Sequence, residues 1–407
     1  MNRAELAVFM DLSGKATRIG TLDIFTSRGS EYYRFQYSAA WVESDEGFAI
    51  DPALELVSGV PYQSSNLWGA FCDVSPDRWG RLVQSRIKNR GLSDGDFMLG
   101  VSDHMRIGAL RVSAASDENI FLARHEDVPK LVHLAELERA SYNIEKNKET
   151  SADLALLLQP GTSIGGARPK AVVENEGSLW IAKFQSSFDT ERTALKEAIM
   201  LDLAKIARIE CPIHRVIGET GRNPILLVKR FDREGSVRVP FMSAMTMLER
   251  GETTRGNASY MELADAITRC SSRPEHDRAE LWRRMTFGAM TGNTDDHLRN
   301  HAFLRDERGW RLSPAYDLNP SDQPYKTRRH ELSFDGGSYR PSLELCVKLA
   351  SYFGVTDETS SQILEGIAIA LKSWKTVARK NGMSAAEINR MSVSFEHEDA
   401  SSLINGK

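Results

Sequence analysis

Cysteine is scarce and scattered in this 407-residue chain: Cys72, Cys211, Cys270 and Cys346, with no Cys-x-x-Cys pair. That spacing argues against a zinc ribbon or a disulfide framework and fits a reducing cytoplasm. Long hydrophobic runs are missing too. No stretch approaches the roughly 20 apolar residues needed to cross a bilayer. The opening "MNRAELAVFMDLSG" has no signal-peptide core, so the expectation is an intracellular protein that does not engage a membrane. Strong charge of either sign is absent. A formal net charge of -4 does not mark a nucleic-acid binder, so DNA contact would need a local patch or a partner protein. Internal repeats and low-complexity tracts are also lacking. What remains, 41% hydrophobic and 27% charged residues, is ordinary globular composition, long enough for two or three domains.

Residues 1 to about 60 read as strands, because "AVFMDL", "IGTLDIF" and "YYRFQYSAAW" are short, aromatic or β-branched and broken by turn residues. In "YYRFQY", Tyr33, Phe35 and Tyr37 alternate with polar positions, the pattern of a half-buried strand. "LWGAFCDVSPDRWGRLVQSRIKNRG" turns helical, with Pro76 suited to a first helical position. Residues 115–160 read as a charged helical connection. From 161, "GTSIGGARPKAVVENEGSLWIAKFQ" is a Gly-rich loop followed by two strands around an Asn-Glu-Gly turn. The next helix, "ERTALKEAIMLDLAKIARI", carries an apolar stripe of Leu195, Ala198, Ile199, Leu203 and Ile206. "HRVIGE" and "PILLVKRFDR" restore strand character, and beyond 245 the chain is mostly helical. Its last residues, "HEDASSLINGK", read as a loose tail.

The densest chemistry lies in "TGNTDDHLRNHAFL", residues 291–304. Asp295 and Asn300 are five residues apart, and "HAFLRDERGWRLSPAYDLNP" follows as strand, turn and strand, ending near Tyr316 and Asp317. Phosphoryl transfer from ATP needs such a set: an Asp to take the hydroxyl proton, then an Asn and a second Asp to hold Mg²⁺. The metal bridging polyanionic phosphates prefers hard oxygen ligands, which these side chains supply. Asp296 is one residue out of register, so Asp295 is the expected base. Two other readings stand beside this one. Asn293 or Asp295 would serve as a plain helix cap. His297 and His301 have the i, i+4 spacing of a shared metal site, although "HLRNH" lacks the Glu base of a zinc protease.

Upstream, Gly165 and Gly166 in "SIGGARPK" allow backbone N–H groups to approach a phosphate, without the Gly-Lys-Ser/Thr ending of a Walker loop. Lys183 follows Gly166 by 17 residues, in the apolar strand "WIAKF", and Glu197 on the next helix is its candidate partner. A Lys–Glu pair of this kind aims a cation at the α- and β-phosphates. Gly-loop, strand Lys, helix Glu, Asp-x₄-Asn and hairpin Asp stand in kinase order.

"NTDDHLRN" and "LSPAYDLNP", with "SIGGARPK" and "VKRFDR" upstream, resemble the HipA family of bacterial toxin kinases, and the likeness extends over nearly the whole chain. The resemblance implies an α+β, kinase-like two-lobed fold: a small β-rich N-terminal lobe with an extra β-rich subdomain, and an all-helical C-terminal lobe. The expected divisions are 1–110, a helical connection 111–160, an N-lobe 161–245 and a C-lobe 246–407. It implies a serine/threonine protein kinase that uses ATP and Mg²⁺ to phosphorylate a protein such as an aminoacyl-tRNA synthetase. It further implies a HipB-like helix-turn-helix antitoxin as partner, with operator DNA bound mainly through that antitoxin.

By the same resemblance, Asp295 matches the catalytic Asp, Asn300 and Asp317 the metal ligands, and Lys183 the phosphate-binding lysine. Gly165, Gly166, Ala167, Arg168, Pro169 and Lys170 match the phosphate loop. Met242, Ser243 and Ala244 fall at the adenine-contacting hinge, without the acidic residues some members carry there. His297 and Tyr316 join the nucleotide site, Glu197 supports Lys183, and Ser163 matches an autophosphorylated serine. Two alternatives keep the fold: a phosphotransferase acting on a small molecule, or a non-catalytic corepressor bound to an antitoxin. "NPSDQPYKTRRHELSF" could serve as a flexible activation segment, and Lys326, Arg328 and Arg329 as a phosphate-touching or merely solvated cluster.

Overall fold

The computed structural model of the chain describes residues 2–27, 29–88, 91–123, 128–158, 166–218, 223–251 and 258–406. It divides into two compact units. The first comprises Met1–Phe188, Lys229–Glu249 and Leu304–Glu307; the second comprises Asp189–Val228, Arg250–Phe303 and Arg308–Lys407.

The first unit is built on a six-stranded sheet of order β4-β3-β2-β1-β5-β6. Its strands are β1 (Asn2–Leu12), β2 (Lys15–Ser27), β3 (Ser30–Tyr37), β4 (Tyr62–Ser64), β5 (Leu110–Ala114) and β6 (Asp117–Phe121). The alternation read in the sequence holds: Tyr33, Phe35 and Tyr37 are buried while Arg34 and Gln36 are not. Each such burial stabilises by about 1.5–3 kcal/mol relative to exposure. Between Val8 and Phe9 the β1–β2 register shifts, so one residue of β2 is left over. Gly20 lies at this bulge because a Cβ there would stand 2.4 Å from the Gln36 carbonyl oxygen.

Two readings need correction here. β5 and β6 occupy part of the stretch expected to be a helical connection, and β5 pairs with β1 through Leu6–Met10. The helices of that stretch, Leu134–Glu145 and Ser151–Leu158, begin only later. Pro76 also precedes the helix Arg78–Lys88 instead of opening it, because Asp77 takes the capping role and accepts from the Gly80 N–H at 2.8 Å.

β7 (Lys170–Asn175) and β8 (Ser178–Lys183) form an antiparallel hairpin in full register from Lys170↔Lys183 to Asn175↔Ser178. Its two turn residues, Glu176 and Gly177, both have positive φ, as a tight hairpin turn demands. A buried ionic network ties residues 103–111 to 230–238. Asp232, fully buried, accepts from Arg230, Arg233 and the Gly108 N–H. Arg106, equally buried, donates to the carbonyls of Val74, Met98 and Val101.

The second unit is mainly helical. Its helices are Thr193–Ile206, Tyr260–Cys270, Pro274–Thr291, Leu343–Leu349, Asp357–Lys380, Ala385–Phe395 and Glu398–Ile404. It also holds strands: His214–Ile217 pairs antiparallel with residues 225–228, and Gly309–Leu312 is a strand. The Thr193–Ile206 helix buries Leu195, Ala198, Ile199 and Leu203 as its pattern requires, but Lys196 and Glu197 are buried as well. Burial of Lys196 is compensated by ion pairs with Glu191 and Asp322.

The tail is not loose. His397 caps the Glu398–Ile404 helix, stacks on Tyr325 at 3.9 Å between ring centres, and bonds to the Met290 carbonyl at 2.9 Å. No helix of the described residues is long and apolar enough to cross a membrane.

Candidate active site

The Pro274–Thr291 helix ends where the polar run begins. Gly292 takes φ +77° at the C-cap, and a Cβ there would meet the Arg328 guanidinium at 3.1 Å, so glycine fits on both counts. The chain then loses helical geometry except for a short 3₁₀ turn, Leu298–Asn300. That turn separates His297 from His301, so the i, i+4 metal geometry of an α-helix does not form. Nor is Asn293 a helix cap; buried, its Oδ1 accepts from the Asn319 N–H at 2.9 Å. Tyr316 donates its hydroxyl to the Arg299 carbonyl at 2.7 Å. These two bonds hold the 293–300 loop against the 316–319 segment, where Asp317 adopts φ +59°. A left-handed Asp is uncommon and is found where the backbone is constrained by its surroundings.

Within this loop the two adjacent aspartates part company. Asp295 presents an exposed side chain, whereas Asp296 is 3% exposed. Partial desolvation raises the Asp295 pKa; His297 opposes the rise, while Asp317, Glu331 and Asp296 add to it. Negative charge is therefore concentrated around Asp295 from several segments, a setting that suits either a cation or a group meant to take a proton. Asn300 donates its amide nitrogen to the Asp295 carbonyl at 2.8 Å, while its Oδ1 is buried without a hydrogen-bond partner among the described residues. The fixed amide leaves a hard oxygen ready for a ligand, which fits Mg²⁺. His297 Nδ1 is likewise buried without a hydrogen-bond partner.

A small cavity borders the loop, lined in part by Asn293, Asp296, Asn300, His301 and Tyr316. The 318–330 segment beyond Asp317 is pinned by several bonds. Buried Arg328 donates to the carbonyls of Gln323, Val393 and Ser394, so it is not part of a solvated cluster. Lys326 and Arg329 are exposed, the latter packed over the Tyr339 ring.

Most of the other sequence-derived residues lie in the first unit. Lys183 ends β8, and Gly166 to Lys170 lead into β7. Ala167 and Arg168 are exposed; Pro169 is buried and its carbonyl accepts from the Phe184 N–H at 3.0 Å. Lys170 is buried and engaged: its Nζ lies 2.8 Å from Asp77 Oδ2 and 3.2 Å from the Gly166 carbonyl. Met242, Ser243 and Ala244 are all buried, and Ser243 donates both its N–H and its hydroxyl to Asp73 at 2.7 Å. Glu197 belongs to the second unit and Lys183 to the first. Ser163 and Gly165 lie outside the described residues. Sequence reasoning missed Tyr260, His301 as the neighbour of Asp296, and the Asn293–Asn319 bond. Spacing carries no signal for contacts between distant segments.

Residues 162–375, just over half of the chain, match the family model described as "HipA-like C-terminal domain". Two curated relatives from Sinorhizobium fredii (strain NBRC 101917 / NGR234) are similar over parts of their length. "Putative kinase Y4mE" is 28% identical over 149 residues, 34% of this chain and 33% of that protein. "Putative kinase Y4dM" is 29% identical over 161 residues, 36% of this chain and 38% of that protein. The matched part thus spans little more than a third of these relatives. Among solved structures, HipA in the Shewanella oneidensis MR-1 complex of HipA, HipB and operator DNA superposes with a TM-score of 0.69. That match covers 98% of this chain and 96% of the other at 16% identity, which establishes a shared fold.

Proposed function

The chain belongs to the HipA-like family, and from that premise we propose that it is a serine/threonine protein kinase dependent on ATP and Mg²⁺. The observation that carries the reading is the state of Asn300: its amide nitrogen is committed to the Asp295 carbonyl, and its buried oxygen has no hydrogen-bond partner among the described residues. An oxygen so oriented, with the Asp317 carboxylate, would hold Mg²⁺. The ion would supply charge neutralisation between the ATP phosphates. Asp295, its pKa raised by partial burial, accepts the proton of the attacking hydroxyl. Lys183, supported by Glu197, is the cation for the α- and β-phosphates. Gly165 to Lys170 form the phosphate loop, in which Arg168 is the exposed cation. Met242 to Ala244, His297 and Tyr316 complete the nucleotide site.

The biological role in this reading is that of a cytoplasmic toxin held by a HipB-like antitoxin, with operator DNA bound mainly through that partner. The structural relative was solved as such a complex with HipB and DNA. The substrate is a component of translation, of the aminoacyl-tRNA synthetase type, and Ser163 is a self-inactivating phosphorylation site. Incubation with γ-labelled ATP and Mg²⁺, alone and with cell lysate, tests the reading. Labelled protein bands and phospho-Ser163 by mass spectrometry are expected. Label transferred only to small molecules would move the substrate class, and no ATP-dependent transfer at all would overturn the kinase assignment.

A further inference from the structure

We propose that Tyr260 and His301 are positioning residues for phosphoryl transfer, acting through Asp296, the buried neighbour of the proposed base. The inference rests on the kinase reading of the 293–300 loop. Tyr260 opens the Tyr260–Cys270 helix, is fully buried, and donates its hydroxyl to Asp296 Oδ2. His301 Nε2 lies 3.0 Å from Asp296 Oδ1, and its ring meets the Tyr260 ring edge-on at 6.0 Å. One oxygen of this buried carboxylate thus accepts a hydrogen bond, and the other stands at ion-pair distance from the His301 ring. Although burial opposes ionisation, His301 and Tyr260 together bring Asp296 below the usual carboxylate range, so it is held as the anion.

The register gives this arrangement its meaning. Asp295 and Asn300 are five residues apart; Asp296 and His301 are also five apart, one position further on. The 296–301 contact therefore closes the same loop one position along from the pair proposed to do chemistry. A second closure, Asn300 Nδ2 to the Asp295 carbonyl, spans the pair itself. Closed by both contacts, the 295–300 loop is restrained where the Asp295 carboxylate and the Asn300 oxygen must be placed.

Tyr260 supplies the outside reference. Its N–H donates to the Ser333 carbonyl at 3.0 Å, Ser333 N–H donates to the Ala258 carbonyl at 3.0 Å, and Glu331 N–H donates to the Thr294 carbonyl at 3.0 Å. The helix start, the 331–333 segment and the loop are thereby joined by backbone bonds, and Asp296 follows two residues after the loop's Thr294. A buried anion is a costly way to gain stability alone, since apolar groups of similar volume often stabilise as well. Its place one residue from the base matches a geometric task, where a 1 Å error costs on the order of 100-fold in rate.

The test uses Tyr260→Phe, which removes one hydroxyl, and Asp296→Asn, which keeps the side-chain shape. Each variant is expected to lower kcat about 10- to 100-fold with the KM for ATP little changed, at temperatures where it is fully folded. Amide hydrogen exchange without nucleotide is read in parallel. The Asn300 N–H, bonded to the His297 carbonyl at 2.8 Å, should exchange faster in both variants. Wild-type kcat in Tyr260→Phe, or unchanged loop exchange, overturns the positioning role. So does a loss of activity that merely tracks the unfolded fraction. An inactive wild-type protein overturns the kinase reading and with it the catalytic role, whereas an active wild type with indifferent variants overturns only the inference about Tyr260 and His301.

Discussion

Lys170 and Asp77, 93 residues apart in sequence, form an ion pair at 2.8 Å with both side chains almost wholly buried. The lysine that sequence places in a phosphate loop is thus committed to the cap of the Arg78–Lys88 helix. Removing one partner from a buried pair strands the other charge, at a typical cost of about 3–5 kcal/mol. Asp77→Ala should accordingly lower the midpoint of chemical unfolding sharply. The double variant Asp77→Leu with Lys170→Met should recover much of that loss, because no buried charge is left unpaired.

Asp295→Ala should abolish measurable phosphoryl transfer while nucleotide affinity is largely retained. Loss of a general base costs about 10²–10⁴-fold in rate, whereas phosphate binding draws on other residues. Asp317→Ala should instead weaken both turnover and the Mg²⁺ dependence of nucleotide binding. Steady-state kinetics with a Mg²⁺ titration separates the two; identical profiles would remove the division of roles between Asp295 and Asp317.

Stability should fall on mild acidification, in part through His330. Burial pushes this imidazole down to about 4, and neither ring nitrogen has a hydrogen-bond partner among the described residues. The unfolded chain titrates near pH 6.5, so between that value and about 4 it binds more protons than the folded protein. Stability therefore rises with pH across this window and is lost as pH falls through it, by up to about 3 kcal/mol. Urea unfolding of wild type and His330→Phe from pH 7 to 4 checks this. The difference between the two slopes isolates His330, and parallel slopes would assign the pH dependence to other groups.

Asp399→Ala should destabilise by about 2–3 kcal/mol although it lies only eight residues before Lys407. Its carboxylate accepts both the Tyr325 hydroxyl and the Leu343 N–H, the latter at 2.7 Å. Limited proteolysis should cut the 323–328 segment faster in this variant. Wild-type resistance there would mean that Arg328 alone secures the segment.

Features that depend on near neighbours could be read directly from the amino-acid order. Alternation in "YYRFQY" specified which face of β3 is buried, the Asn-Glu-Gly run specified the β7–β8 turn, and the end of the Pro274–Thr291 helix falls where polar residues replace apolar ones. The Asp295-x₄-Asn300 spacing was legible for the same reason, since both residues belong to one loop. Features that depend on segments remote in the chain emerged with the three-dimensional fold. It turned Asp296 inward beside Asp295 because Tyr260 and His301 wait there to compensate its charge. It buried Lys170 because Asp77 offered a partner, and it ordered the polar tail because Tyr325 and Leu343 could bond to Asp399. A short polar segment read alone is solvated by default. Whether it is instead buried is settled by whether distant groups satisfy its hydrogen bonds and charges.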